Sequence, residues 1–169
     1  GLNLAEHLFT RLGARLALLG RSRLPEPAQW AAAAIDPQTP ADVRALLKRL
    51  APLHAERDDI TVVYADLNRR EQLATAIDAT IERFGRIDVI VHGAGRVDAA
   101  AFASAADTGP SVVEAQYSPK LRGLFQLIEL MRGREPKRWI LHSSISSILG
   151  GLGLAAYAGV NAVLDAVAR

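Results

Sequence analysis

Short apolar runs alternate with helical patterns along the 169-residue chain, and this alternation predicts an α/β fold built as a doubly wound parallel sheet. A second observation agrees. The residues closing each run are small or polar: Gly20-Arg21-Ser22, Asp66, Gly93-Ala94-Gly95 and Ser143-Ser144. In open parallel sheets that C-terminal edge is where ligands bind, so one rim should carry the function. Composition supplies the third. Half the residues are hydrophobic and 22% are charged, the balance of a globular chain.

Taken in order, Leu4, Ala5, Leu8, Phe9 and Leu12 have helical spacing, and Gly13 ends that helix. Residues 15–19 form a short apolar run, hence a strand, turned by Gly20-Arg21-Ser22. Between 25 and 40, four prolines surround an alanine run, which reads as a loop with a short helix. The stripe Val43, Leu46, Leu47, Leu50 predicts a helix over 41–53, and residues 60–64 a strand. Leu73, Ile77 and Ile81, at steps of four, predict a helix over 69–84. A strand over 87–91 leads into His92-Gly93-Ala94-Gly95. A long helix over 112–131, a strand over 139–141 and a helix from about 155 complete the pattern.

Several classes of function drop out. Cysteine is absent, which removes disulfides, thiolate catalysis and Cys-ligated metal centres, and fits a reducing, cytoplasmic setting. A net charge of +2 is too small for a nucleic-acid surface. The start, Gly1-Leu2-Asn3-Leu4, lacks a basic n-region. Residues 139–164 hold no charge and are long enough to cross a bilayer. They also contain Ser143, Ser144, Ser146, Ser147, His142 and Asn161, costly in lipid, so a buried strand, polar loop and buried helix are expected instead of a membrane partner. No His-based metal spacing and no G-x-S-x-G elbow occur, so neither a metal site nor a hydrolase is expected. His92 and His142, which end strands, are read as satisfied polar residues.

The uncharged, hydroxyl-rich segment carries the chemistry. Tyr157 and Asn161 lie one helical turn apart on one face, and Ser144 precedes Tyr157 by 13 residues at a strand end. A serine and a tyrosine converging on one carbonyl oxygen offer a hydrogen-bond donor and a proton source. Free tyrosine titrates near ~10, so its phenolate needs a nearby cation. With only three lysines in the chain (Lys48, Lys120, Lys137), Lys120 on the preceding long helix is the natural supplier.

These pieces resemble the catalytic ketoreductase domain of modular polyketide synthases, a branch of the short-chain dehydrogenase/reductase superfamily. The likeness runs through Leu-Leu-Gly20-Arg21-Ser22, Tyr-Ala-Asp66-Leu67, Asp88-Val-Ile-Val-His92-Gly-Ala-Gly95, Ser-Pro-Lys120-Leu-Arg-Gly123 and His-Ser-Ser144 to Tyr157-Ala-Gly-Val-Asn161-Ala-Val-Leu-Asp165. Its specific part is Tyr-x-x-x-Asn. Ordinary members of the superfamily have Tyr-x-x-x-Lys with an Asn on the earlier helix, and these ketoreductases exchange the two, as Asn161 and Lys120 do here. The resemblance implies that Tyr157 protonates a β-keto oxygen while NADPH gives hydride to the carbon. It further implies that Ser144 hydrogen-bonds the oxygen, Lys120 lowers the tyrosine pKa, and Asn161 holds the lysine and a proton-relay water.

The cofactor reading has two parts. A Rossmann-type fold carries G-x-G-x-x-G between its first strand and first helix. Here Gly1 is followed directly by the helix and reads as the last glycine of that motif. An acid after the next strand would select NAD, whereas Arg21-Ser22 suits the 2′-phosphate of NADPH. By resemblance, Asp66 and Leu67 flank the adenine, Ala94 and Gly95 line the nicotinamide ribose, and Lys120 and Tyr157 reach the nicotinamide end.

The implied partners are an acyl carrier protein bearing a phosphopantetheine-linked β-ketoacyl chain and neighbouring synthase domains. A free-standing reductase of a small carbonyl compound and a catalytically silent module are the rival readings. Val97-Asp98-Ala99 stands where the family's Leu-Asp-Asp marks one alcohol configuration, and the tryptophan marking the other is missing, so the product's hand stays open. Residues 1–169 are expected to form one NADPH-binding domain lacking its first strand and C-terminal strands, incomplete at both ends.

Overall fold

In the computed structural model, which describes residues 1–95, 103–104 and 106–169, α1 (Leu2–Leu12) stops at Gly13. The φ of 62° there is the left-handed conformation that glycine enters freely. Next come β1 (Leu16–Gly20), a single 3₁₀ turn (Pro27–Gln29) running into α2 (Trp30–Ala33), α3 (Ala41–Glu56) and β2 (Ile60–Tyr64). The helix expected over 41–53 keeps Pro52 within it and continues three residues further. Leu47 and Leu50 bury its apolar face, and Leu53 packs on the same core, so packing carries the helix past the missing N–H. α4 (Arg70–Phe84) follows and stops at Gly85, with φ 84°.

The chain then forms β3 (Val89–His92), α5 (Pro110–Tyr117), a π-turn (Ser118–Arg122), α6 (Gly123–Leu130), β4 (Arg138–Leu141), α7 (Ser146–Leu149) and α8 (Ala155–Val167). The helix predicted over 112–131 runs over 110–130 and is interrupted in the middle. Pro119 has no N–H and cannot continue an α ladder. The Gly123 N–H instead returns to the Ser118 carbonyl, five residues back.

Two units are distinguished. The first comprises Gly1–Asp66 and Thr75–Gly85, the second Leu67–Ala74 and Arg86–Arg169. In the first, β1 and β2 pair in parallel, Leu16 opposite Ile60 through Gly20 opposite Tyr64. Phe9, Trp30, Leu47, Leu50 and Ile60 form its core. Each such side chain contributes roughly 1.5–3 kcal/mol on full burial. Trp30 donates its indole N–H to the Pro25 carbonyl at 2.9 Å. Arg57 lies over the Phe9 ring and donates to the carbonyls of Phe9 and Ala14, tying the end of α1 to the chain entering β1.

In the second, β3 and β4 pair in parallel, Val89 opposite Arg138 through His92 opposite Leu141. Leu121, Leu124, Val160 and Leu164 form the core there. The paired strands put the ends of β3 and β4 side by side, so Gly93–Gly95 and His142–Ser144 leave the sheet together. Among the described residues no ladder joins the two pairs. Among them, too, no helix is long and apolar enough to cross a membrane.

Candidate active site

Lys120 is the centre of the arrangement in the second unit. The π-turn carries it inward, where the residue is only 5% exposed. Its Nζ donates to Asn161 Oδ1 at 2.5 Å and to the His142 carbonyl at 3.4 Å. The same ammonium stands 5.1 Å from the centroid of the Tyr157 ring. Burial holds the Lys120 pKa below the ordinary lysine value, and the Asp165 carboxylate partly offsets that effect.

Asn161 is fully buried, and the helix itself sets the orientation of its amide. Nδ2 donates to the Tyr157 carbonyl one turn back at 2.8 Å, which turns Oδ1 toward Lys120. The Tyr-x-x-x-Asn spacing therefore does two things. It puts the amide one turn from the phenol, and it supplies the carbonyl that aims the amide.

Ser144 is half-buried beyond the end of β4. Its Oγ accepts from the Ser146 N–H at 3.2 Å and from the Ser146 hydroxyl at 3.0 Å, so neither bond uses the Ser144 proton. Behind it, Ser147 Oγ lies 2.8 Å from the Ser144 carbonyl and donates to Asp165 at 2.6 Å. The hydroxyls of Ser143 and Ser147 hold the Asp165 carboxyl below the usual carboxylate range. The loop carrying Ser144 is thus tied to α8, the helix of Tyr157 and Asn161.

Gly95, expected at the nicotinamide ribose, and Gly123, quoted only as a motif letter, each have a steric reason. A Cβ at Gly95 would lie 2.8 Å from Lys120 Cε, and one at Gly123 would lie 2.8 Å from Leu67 Cβ. Any larger residue at Gly95 would push the lysine stem. Ala94, beside it, is half-buried. Leu67, expected at the adenine, packs against Gly123.

The remaining predicted residues belong to the first unit. Gly1 is the exposed cap of α1, its carbonyl accepting from the Ala5 N–H at 3.0 Å. Arg21 and Ser22 are exposed immediately after β1, and Asp66 is half-buried just past β2. Arg23, which the sequence reading did not single out, lies over the Tyr64 ring at 4.8 Å. The residues Val97-Asp98-Ala99 lie outside the described residues. Among the described residues, no group of three or more His, Asp or Glu side chains is placed to hold a metal ion.

The family model of the KR domain matches residues 1–169. The chain belongs to the KR domain family. Among relatives of this KR domain, the spectinabilin polyketide synthase system protein NorB of Streptomyces orinoci is 31% identical over 168 residues, 99% of this chain and 7% of that protein. The 6-methylsalicylic acid synthase of Aspergillus niger is 29% identical over 171 residues, 100% of this chain and 9% of that protein. The chain thus spans under a tenth of these relatives. Among solved structures, the ketoreductase from the first module of phoslactomycin biosynthesis in Streptomyces sp. HK803 is 29% identical, with a TM-score of 0.73 over 100% of this chain and 35% of that one. A short-chain dehydrogenase/reductase from Brucella melitensis, 21% identical, shares the fold with a TM-score of 0.74 over 99% of this chain and 62% of that one. The ketoreductase resemblance read from the residues is borne out, and with it the Rossmann-type α/β class.

Proposed function

We infer that this KR domain catalyses the NADPH-dependent, stereospecific reduction of a carrier-protein-bound β-ketoacyl thioester to the β-hydroxyacyl thioester. The observation that carries the reading is the Lys120 ammonium, buried, bonded to Asn161 and set over the Tyr157 ring. A buried cation costs stability, and its placement against a phenol repays that cost in chemistry.

The chain's own groups fit a nicotinamide cofactor. Gly95 has no Cβ where one would strike Lys120, so backbone and lysine approach each other closely. In the second unit, Ala94 and Gly95 would line the nicotinamide ribose, with Lys120 and Tyr157 at the nicotinamide end and Leu67 toward the adenine. In the first unit, Arg21 and Ser22 would read the 2′-phosphate, Asp66 the adenine side, and Gly1 the phosphates at the start of α1. NADPH, when bound, supplies hydride.

Tyr157 gives its phenolic proton to the ketone oxygen as negative charge develops there. Ser144 donates its unused proton to the same oxygen, a second donor aimed at the developing charge. Lys120 stabilises the resulting phenolate, and Asn161 keeps the ammonium in place. Polyketide synthases among the relatives support an acyl carrier protein as the substrate's bearer and neighbouring synthase domains as partners; a cytoplasmic setting is part of the same proposal.

The deciding experiment follows NADPH absorbance with a simple β-keto thioester and identifies the product. Formation of one enantiomer of the β-hydroxy thioester is expected. NADPH turnover with simple ketones but none with the thioester would favour a free-standing small-carbonyl reductase.

A further inference from the structure

β3 ends in His92, whose backbone is fixed on both sides. It pairs with Leu141 in the ladder, and its carbonyl accepts from the His142 N–H at 2.9 Å. The imidazole is only 3% exposed, and its Nε2 lies 2.8 Å from the Lys120 carbonyl. A carbonyl only accepts, so Nε2 carries the proton. Burial holds the His92 pKa below the ordinary histidine value, which keeps the ring neutral in this role.

The place of that carbonyl matters. Lys120 sits inside the π-turn, whose backbone is wound one residue looser than an α-helix. Return to the α register would rotate the following residues by about 100° about the axis, one residue's share of a turn. The Lys120 side chain would then leave Asn161. His92 grips the turn at its looser point, and Gly95 gives the lysine stem room to run inward. Lys120 is thus held at both ends, its carbonyl by His92 and its ammonium by Asn161.

We propose that His92 is a positioning residue of the reductase, donating from Nε2 to the Lys120 carbonyl and so fixing the Lys120 ammonium between Asn161 and Tyr157. The inference deepens the proposed reaction and rests on it for its catalytic consequence only. The titratable groups that act on the ammonium are Tyr157 and Asp165 on α8 and His92 at the end of β3, and His142 just past β4 acts in turn on His92.

The test uses the intact protein and two variants. His92→Leu removes the donor and keeps apolar bulk, whereas His92→Gln puts an amide N–H near the position of Nε2. With ¹³C-labelled lysine, the Lys120 signal (assigned by its loss in Lys120→Arg) should titrate below the ordinary lysine range in the parent. It should move back up in His92→Leu and stay low in His92→Gln. With a β-keto thioester and NADPH, kcat should fall about 10–100-fold in His92→Leu with KM within about twofold, the size expected of a misplaced catalytic group, and His92→Gln should recover most of it. ¹⁵N spectra of the parent should show the Nε2–H tautomer of His92. A Nδ1–H tautomer, or parental kcat and parental Lys120 titration in His92→Leu, would overturn the proposal. If the parent reduces no thioester, the proposed reaction falls, while the tautomer and the lysine titration still decide the role of His92. If His92→Leu does not fold, the tautomer and His92→Gln decide it.

Discussion

The two units place their candidate site residues differently. In the first, Arg21 and Ser22 stand exposed after β1, and its ion pairs, such as Arg49 with Glu6 at 2.6 Å, tie helix to helix at the surface. In the second, His92, Gln116, Lys120, Ser146 and Asn161 are all buried. A side chain that reads an outside phosphate gains from staying in water until its ligand arrives. A group that must meet charge developing within a reaction gains from being fixed beforehand in a low-dielectric surround, where each bond counts for more. Buried polar groups cost stability unless they are partnered, and this unit partners Lys120 at both ends. On the proposed reading, recognition and chemistry would use different kinds of polar residue, and substitutions in the two units should differ in kind.

The largest effect belongs to the second unit. Tyr157→Phe removes one hydroxyl and no packing volume, so the reduction rate should fall ~10²–10⁴-fold, the typical loss of a general acid. NADPH affinity should change little. Single-turnover reduction beside a fluorescence titration of NADPH checks both, and a variant within threefold of the parent would dissolve the contrast between the units.

Lys120→Met comes next. Removing the ammonium should cost nearly as much rate, about 10²-fold or more, since the proton donor loses its cation. Stability should move little. The Asn161 oxygen is left unsatisfied at about 1–3 kcal/mol, while the cost of burying a charge disappears. Rate and urea midpoint measured on one preparation separate the two. A large loss of stability would recast Lys120 as structural.

Arg21→Asp probes the exposed set. It removes a charge-assisted contact to the 2′-phosphate and supplies a carboxylate for a 2′-hydroxyl. The kcat/KM ratio of NADPH to NADH should fall about 10–100-fold, following the roughly 1.5–3 kcal/mol of a hydrogen bond to a charged group. The reduction step with saturating NADH should stay near parental. An unchanged ratio would move 2′-phosphate recognition elsewhere, with Arg23 the nearest alternative.

Much of this was legible in the sequence, for identifiable reasons. The strand over 60–64 falls on β2 itself, and the runs at 15–19 and 139–141 miss by one residue because flanking Gly20 and Arg138 carry no apolar signal yet extend the ladders. Tyr157 and Asn161 were readable because an i, i+4 pair has one geometric meaning in a helix. The sequence reads His92 as a satisfied polar residue, and the Lys120 carbonyl satisfies it. Its partner is a carbonyl inside a π-turn, and neither leaves a trace in side-chain periodicity. Pro119 was the available signal, a breaker inside a long helical pattern. The steric demands at Gly95 and Gly123 are silent for a related reason, since each is set by a neighbour distant in sequence, Lys120 and Leu67.

The smallest effect expected is a pH dependence of stability to which the buried His92 contributes in its own window. His92 has its folded pKa held below the ordinary 6.5, mainly by burial. Between those two values the unfolded chain binds more protons than the folded one, so stability rises with pH across that window. The contribution is fully present above about 6.5 and is lost as pH falls toward the folded value. Asp165 has the same sign at lower pH. Its pKa is held below the ordinary 3.8 by the Ser143 and Ser147 hydroxyls, so its contribution disappears as pH falls below that value. Urea midpoints of the parent and His92→Gln, measured from about pH 8 down to pH 5, isolate the first window, because Gln does not titrate. The two curves should run parallel above pH 6.5 and converge below it as the parent loses the advantage of its neutral imidazole. Parallel curves throughout would mean that His92 titrates alike folded and unfolded, and that the buried set is less sealed from water than its exposure implies.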